Sequence, residues 1–493
     1  MARPLKVLFL SSEVEPFAKT GGLADVAGAL PPVIRHLGHD IRVAMPLYGG
    51  INGRSGLHDS GAGAFPVPVG GGTAVRLAVR EGSLGDPAAS VPVYFLDNPE
   101  LFGRAGLYVD PATSKDYPDN DERFIVYARG ALEAVRHLGW HPDIIHCNDW
   151  HTGLVPAYLK TVYRDDPAFR ATRSLFTVNN MAYQGVFRSE AFGKTLLPAR
   201  LRSEEGALAF GNLNFMKAGL VHADALSTVS RRYAEEIQKS DEFGCGMQDL
   251  LRRRRSDLHG ILNGVDYAVW DPSVDRHIPE RYDRTTVDRK PANTRALRER
   301  MGLPVRAGVP VIGMISRLAD QKGFDLLPPI MDRLLAMDLQ LVILGTGDPR
   351  YHRMFEDARS AHPDRIGVVL GFDNALAHLI EAGSDLFLMP SRYEPCGLNQ
   401  IYSLRYGTVP VVRATGGLDD TIVDVRTDPA AGTGFKFIPY DGGALLATVA
   451  DALAAFSDAA RWRAIMTRGM EQDFSWHASA QSYVGLYRKV TGL

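Results

Sequence analysis

Two cations and a carboxylate stand out for the chemistry they could perform together. Arg317 and Lys322 lie on one short stretch, Arg317-Leu318-Ala319-Asp320-Gln321-Lys322-Gly323, directly after the apolar run Pro310-Val311-Ile312-Gly313-Met314-Ile315-Ser316. A planar guanidinium fork and a compact ammonium can together hold the oxygens of a phosphate and neutralise its charge. With both at one strand end, no metal need be invoked. Glu394 follows a second buried-type run, Asp385–Ser391, within Arg392-Tyr393-Glu394-Pro395-Cys396-Gly397-Leu398. A carboxylate there is a further polar group at a strand end, where ligands gather. Pro395 constrains the backbone after it, and Gly397 permits close approach. Two glycine pairs complete the set: Gly21-Gly22 behind Lys19, after the run Val7–Glu13, and Gly416-Gly417 behind Thr415, after Val409–Arg413. Such pairs at helix starts can aim backbone N–H groups at an anion, most simply a phosphate, from opposite sides. The same pattern also occurs in purely structural βα turns. Asp25 sits where it could cap the helix or reach a sugar hydroxyl. Cys396 reads as a small pocket-lining residue, since no neighbouring base would stabilise its thiolate.

These residues need strands to hold them, and the sequence supplies strands in alternation with helical patterns, the signature of βαβ units and parallel sheets. In the first half the strand-like runs are Val7–Leu10, Ile41–Val43, Val91–Leu96, Ile144–Cys147, Leu175–Val178 and Ala225–Val229. The second half repeats the pattern at Val311–Ile315, Leu341–Leu344, Gly367–Leu370, Asp385–Met389 and Val409–Val412. Every polar cluster lies beyond the carboxyl end of a strand, where open α/β sheets collect ligands, so one shared crevice is the economical explanation. The expected fold class is α/β, with two Rossmann-like doubly wound domains. The alternation pauses near Ile261–Asp266 and gives way to a polar stretch from Asp271 to about Asn293. The first domain is therefore expected over 1–263 and the second from 264. The segment Gly49–Ser90, rich in Gly and Pro, is expected to form extended hairpin-like structure or a mobile loop.

A chain of 493 residues with 45% hydrophobic residues suffices for two such domains. A formal net charge of −2 argues against a nucleic-acid partner. The run Arg252–Arg255 is read as a solvated helix face. Three scattered cysteines, Cys147, Cys245 and Cys396, make neither a disulfide framework nor a zinc site, and a reducing cytoplasm is the expected home. The short apolar stretch after Met1-Ala2-Arg3-Pro4 reads as a first strand and not as a secretion signal, and no run approaches the roughly 20 apolar residues of a membrane span.

Five ordered motifs resemble those of the bacterial glycogen synthases and plant starch synthases over essentially the whole chain. They are Lys19–Val26, His146-Cys147-Asn148-Asp149-Trp150-His151, Ile315–Leu318 with Gln321-Lys322-Gly323, Glu394–Leu398 and Thr415-Gly416-Gly417-Leu418. The resemblance implies two facing Rossmann-like domains of the GT-B type, with the C-terminal segment 474–493 crossing back to complete the first and leaving 264–473 as the second. It also implies transfer of glucose from ADP-glucose to the non-reducing 4-hydroxyl of an α-1,4-glucan, with retention of configuration and without a metal or other cofactor. It places Lys19 at the nucleotide-sugar, Glu394 at the glucosyl hydroxyls, Asp149 and Trp150 on the glucosyl and acceptor side, and Asn263 at a further polar contact. Tyr393 is expected at the nucleotide pocket. The leaving phosphate itself is expected to take the acceptor proton, so no separate strong base is sought. His146 and His151 with Asp149 invite a metal reading, but closely spaced loop residues without a further cluster make it weak. Domain closure is expected to bring Lys19 and Gly21-Gly22 toward Arg317 and Lys322.

One departure matters. Where the family usually reads Val-His-Asn, this chain reads Val178-Asn179-Asn180. Asn179 can still hydrogen-bond a sugar hydroxyl but carries no titratable charge. Two alternatives stay open: the same fold with UDP-glucose or another donor, since these motifs do not spell out the base-reading pocket and fold does not fix substrate, and, because of Asn179, a weakly catalytic glucan- or nucleotide-sugar-binding protein. Retention of Arg317, Lys322 and Glu394 together argues against the latter.

Overall fold

The structure is a computed structural model that describes residues 3–51 and 56–493. Two compact units divide the chain: Met1–Val229 with Ala234–Gly264 and Trp476–Leu493, and Ser230–Tyr233 with Val265–Ser475. Ser230–Tyr233 lie within the sequence range assigned above to the first domain but belong to the second unit. Their attachment is polar: Ser230 Oγ donates to the Pro395 carbonyl at 2.6 Å, and the Arg231 and Arg232 N–H groups donate to Asp420 Oδ2 at 2.6 and 3.0 Å.

The first unit is built on a 10-stranded sheet. Its parallel portion runs Leu258–Gly260, Ala225–Thr228, Arg173–Val178, Ile144–Asn148, Lys6–Leu10, Asp40–Pro46 and Val91–Asp97 in spatial order. Strands buried on both faces should be apolar throughout, not alternating, and Val7, Leu8, Phe9 and Leu10 are all fully buried. Thr73–Leu84 then adds antiparallel to Val91–Asp97, and both His58–Asp59 and Phe65–Val69 pair with it. The Gly49–Ser90 segment is thus largely hairpin; its residues 52–55 lie outside the described residues. The C-terminal helix Trp476–Thr491 packs on the helix Gly22–His36.

The second unit holds a 6-stranded parallel sheet in the order Ile366–Leu370, Gln340–Gly345, Val311–Ile315, Leu386–Met389, Val409–Arg413 and Phe435–Phe437. Period-two alternation divides its core. Ile312, Met314, Leu341 and Ile343 pack with Phe324, Leu334, Val449 and Ile465 on one face, while Val311, Val342, Leu344 and Phe387 pack with Leu297, Leu376 and Ile380 on the other. The central strands end side by side, so the loops after Ile315, Met389 and Arg413 emerge at one edge.

Candidate active site

In the second unit the strand-end loops are stitched together. Lys322 Nζ lies 2.6 Å from Glu394 Oε2, and Ser391 Oγ donates to the same oxygen at 3.0 Å. The Arg392 N–H donates to the Gln321 carbonyl at 2.9 Å. Gly323, at φ +76°, lies against the Pro390 backbone so closely that a Cβ would come within 2.0 Å of the Pro390 carbonyl oxygen. That position requires glycine for both conformation and space. Asn399 Nδ2 reaches the Ile315 carbonyl at 2.7 Å, fixing the start of the helix Asn399–Arg405 to the neighbouring strand. Glu394 is only 5% exposed. Burying a carboxylate is costly unless it is paired, and Lys322 and Ser391 supply the pairing.

Arg317 is exposed on the same loop, its guanidinium 3.3 Å from Gln321 Oε1. Two further cations stand at the neighbouring strand ends: Arg392 and Arg413 both lie over the Tyr440 ring, at 5.1 and 5.3 Å from its centroid. These strand ends thus carry the cations Arg317, Lys322, Arg392 and Arg413, with the buried Glu394 paired to Lys322 and the exposed Asp320 on the Arg317 loop. Tyr393 is half-buried beside Glu394, and its carbonyl accepts from Gln321 Nε2 at 3.5 Å. Cys396 is buried, and its carbonyl and that of Gly397 accept from Gln400 Nε2. Leu398 occupies the N-cap of the Asn399–Arg405 helix.

Thr415 is the buried N-cap of the helix Gly416–Thr421. Of the two N–H groups expected to face a phosphate here, that of Gly417 is already engaged. The Gly417 N–H donates to the Glu394 carbonyl at 3.0 Å, and a Cβ on Gly416 or Gly417 would come within 1.9 Å of the Glu394 or Cys396 carbonyl oxygen. The pair is glycine because its backbone packs on the Glu394 loop and positions it.

The first unit repeats the pattern. The N–H groups of Thr20 and Gly21 both donate to Glu13 Oε2, and Thr20 Oγ1 donates to Glu13 Oε1 at 2.6 Å. Tyr108 Oη holds that carboxylate at 2.7 Å and also lies 2.7 Å from Ser12 Oγ. An internal carboxylate thus occupies the anion-seeking donors at Gly21. Gly22 opens the helix, and Asp25 forms no cap: it pairs with Lys19 at 2.5 Å. Glu13, Tyr108, Arg392 and Arg413 were not singled out in the sequence, although Glu13 sits at the end of the first strand, where a ligand-facing polar residue is expected.

Asp149 follows the strand Ile144–Asn148 at φ +55°, a conformation rare outside glycine and asparagine. This backbone turns its carboxylate back to accept from the Asn179 N–H at 2.7 Å. Burial pushes the Asp149 carboxyl up to about 7, against the opposing pull of the Asn179 and Asn180 amides. The Asn179 side chain also bears on this carboxylate, yet its Nδ2 closes no hydrogen bond of good geometry. Asn180 folds its Oδ1 back onto the Ala182 N–H at 3.0 Å. Trp150 stacks on His151 and packs edge-on to Phe124. His146 points into the unit, between Thr177 Oγ1 at 2.6 Å and Tyr487 Oη at 2.7 Å. It is therefore held apart from the loop that carries His151. Asn263, buried, lies after the last parallel strand with Oδ1 unpartnered among the described residues.

Residues 6–253 match the family model described as starch synthase catalytic domain, and residues 298–465 match glycosyl transferases group 1. The structure of the catalytic domain of Starch Synthase IV from Arabidopsis thaliana, bound to ADP and acarbose, superposes with a TM-score of 0.88 at 30% identity over 100% of both chains. Sucrose-phosphate synthase from Thermosynechococcus elongatus, at 19% identity and a TM-score of 0.60 over 99% of both chains, shares the fold. The molecule is a glycosyltransferase of the GT-B fold. Glycogen synthase 1 of Methylococcus capsulatus is 48% identical over 491 residues, spanning 98% of this chain and 96% of its own length. Glycogen synthase of Moorella thermoacetica is 45% identical over 490 residues, spanning 99% and 97%. The chain belongs to the bacterial glycogen synthase and plant starch synthase family, and it is a glucosyltransferase working between a nucleotide-sugar donor and a glucan acceptor.

Proposed function

We propose that the donor is ADP-glucose, that the acceptor is the non-reducing 4-hydroxyl of an α-1,4-glucan, and that transfer retains the anomeric configuration without a metal. The contact between Lys322 Nζ and Glu394 Oε2 carries this reading. A lysine paired with a buried carboxylate, on a loop that also carries an exposed arginine, can meet a leaving phosphate while the carboxylate remains beside the sugar. As the anomeric C–O bond breaks, negative charge builds on the phosphate toward Lys322 and Arg317. The oxocarbenium-like carbon and the glucosyl hydroxyls face Glu394. The departing phosphate oxygen takes the proton of the acceptor hydroxyl. Protein cations thus fill the role that a divalent ion plays in other nucleotide-dependent transfers.

Phe372 supports a nucleotide in the second unit. It is 92% exposed, at the carboxyl end of the strand Ile366–Leu370. That strand lies two positions from Val311–Ile315, about 10 Å across the sheet. A nucleoside diphosphate with its phosphates near Arg317 could extend that far to lay its base on the ring. Phe372→Ala, which removes no buried packing, is expected to raise the donor KM roughly tenfold, with a smaller change in kcat, in initial-rate assays.

Among the described residues no single helix is long and apolar enough to cross a membrane, and a cytoplasmic location accords with the cysteine usage. Parallel assays with ADP-glucose and UDP-glucose, followed by β-amylase digestion of the product, test the reading. Preferred use of ADP-glucose, with label released as maltose, is expected. Preference for UDP-glucose or resistance to digestion would overturn the donor or linkage assignment.

A further inference from the structure

A feature of the first unit lies outside the residues described above. The strands Val186–Phe187, Asn212–Asn214 and Leu208–Ala209 form a small three-stranded antiparallel sheet, continuous in sequence with the Asn179–Asn180 loop that holds Asp149. Its hairpin tip is Phe210-Gly211, and Phe210 is 79% exposed at φ +50°. A bulky residue in the left-handed region is an outlier, and one with most of its ring in water gains nothing from core burial. The protein nevertheless fixes this tip. Glu204 accepts from the Gly211 N–H at 2.8 Å and the Phe210 N–H at 3.3 Å, and is itself paired with Lys217 at 3.2 Å. The ring edge rests over Gly246, where a Cβ would come within 2.7 Å of it.

The same small sheet leads back to the site. Gln184 Nε2 donates to the Cys245 carbonyl at 2.9 Å, next to Gly246, and Gln184 Oε1 accepts from Asn214 Nδ2 at 2.7 Å. Beside Gln184, Tyr183 and Val186 are each 53% exposed. Gly185 lies against the Trp150 ring, within 2.3 Å of it at the position of a Cβ. Hydrogen bonds and close packing through Gln184, Gly185 and Gly246 thus tie the Trp150 loop to the hairpin, and Tyr183, Val186 and Phe210 are exposed apolar or aromatic side chains on this structure. Exposed apolar surface of this kind marks binding surfaces, and a rigid aromatic face suits the C–H face of a pyranose ring.

We propose that Tyr183, Val186 and Phe210 form a binding ridge for the outer chain of the glucan acceptor, several glucose units away from the reacting end, with Phe210 as its distal stacking platform. The inference rests on the glucan-acceptor reading above. It makes the enzyme favour long acceptors, because only a chain long enough to reach Phe210 gains the contact. Continuity with the Asp149 loop identifies the occupant as the acceptor.

Steady-state kinetics of Phe210→Ala and Phe210→Trp test it, with glycogen and with maltotriose as acceptors at saturating donor. Phe210→Ala is expected to raise the KM for glycogen about fivefold and to leave the maltotriose KM and the donor KM within twofold. Phe210→Trp is expected to restore or lower the glycogen KM. An unchanged glycogen KM in Phe210→Ala, or equal changes for both acceptors, would overturn the ridge. Absence of transfer to either acceptor by the unaltered enzyme would count against the acceptor reading itself, a distinct result.

Discussion

Glu394→Gln is expected to lower kcat for glucose transfer by roughly a hundredfold while leaving the fold intact. The substitution keeps the shape of a side chain that is almost wholly buried, and the amide can still meet Ser391 Oγ. What it removes is the negative charge beside Lys322 Nζ and the developing oxocarbenium carbon. Loss of one preorganised electrostatic contact to a transition state costs about a hundredfold to a thousandfold in other enzymes. Lys322, at 21% side-chain exposure, can turn toward solvent when its partner is neutral, so the melting temperature should move little. Because the contact matters more in the transition state than in the ground state, the donor KM should change far less than kcat. Glu394→Gln turning over within threefold of the unaltered enzyme would remove Glu394 from the mechanism.

Asp149→Asn should separate stability from activity. The Asp149 carboxyl is pushed from its ordinary value of 3.8 up to about 7, first by burial. A group whose folded value lies above its unfolded value contributes stability that is fully present below the unfolded value and lost as pH rises through the folded one. Stability associated with Asp149 should therefore fall between about pH 4 and pH 7 and stay low above it. The shift corresponds to an upper bound of roughly 4 kcal/mol at alkaline pH. The neutral amide escapes this penalty, so Asp149→Asn should melt several degrees above the unaltered protein at pH 8 and close to it at pH 4, by thermal scanning. Activity should move the other way. The ionised carboxylate is the stronger acceptor for a sugar hydroxyl, so kcat/KM of the unaltered enzyme should rise through about pH 7. Asp149→Asn should be at least tenfold slower and lack that rise. The positive φ at this position, costly in itself, fits a residue retained for function over stability.

The strands were legible in the sequence because parallel strands buried on both faces must be continuously apolar; Val311–Ile315 and Val409–Val412 could be read without any partner in view. The clustering of Arg317, Lys322 and Glu394 followed from the rule that strand ends collect polar residues. Which group faces which did not follow. Lys19, expected at the nucleotide-sugar, lies half exposed beside Asp25, and the Gly21 N–H, expected at a phosphate, donates to the protein's own Glu13. Both outcomes depend on side-chain directions at loops, which no periodicity encodes. The glycine pair Gly416-Gly417 was read as a ligand cradle on composition, whereas close packing against the Glu394 loop sets its identity. Phe210 carried no sequence signal, because an exposed phenylalanine looks like a buried one until its surroundings are known.

On the proposed mechanism, protein cations, with no divalent ion, stabilise the phosphate that leaves when glucose is transferred. The direct measurement is incorporation of radiolabelled glucose from ADP-glucose into glycogen, with EDTA or with magnesium, by the unaltered enzyme and by Lys322→Ala. Equal rates in EDTA and magnesium, and a loss of at least tenfold in Lys322→Ala under both conditions, are expected. Transfer that vanishes in EDTA, or a Lys322→Ala enzyme that keeps the full rate, would contradict it.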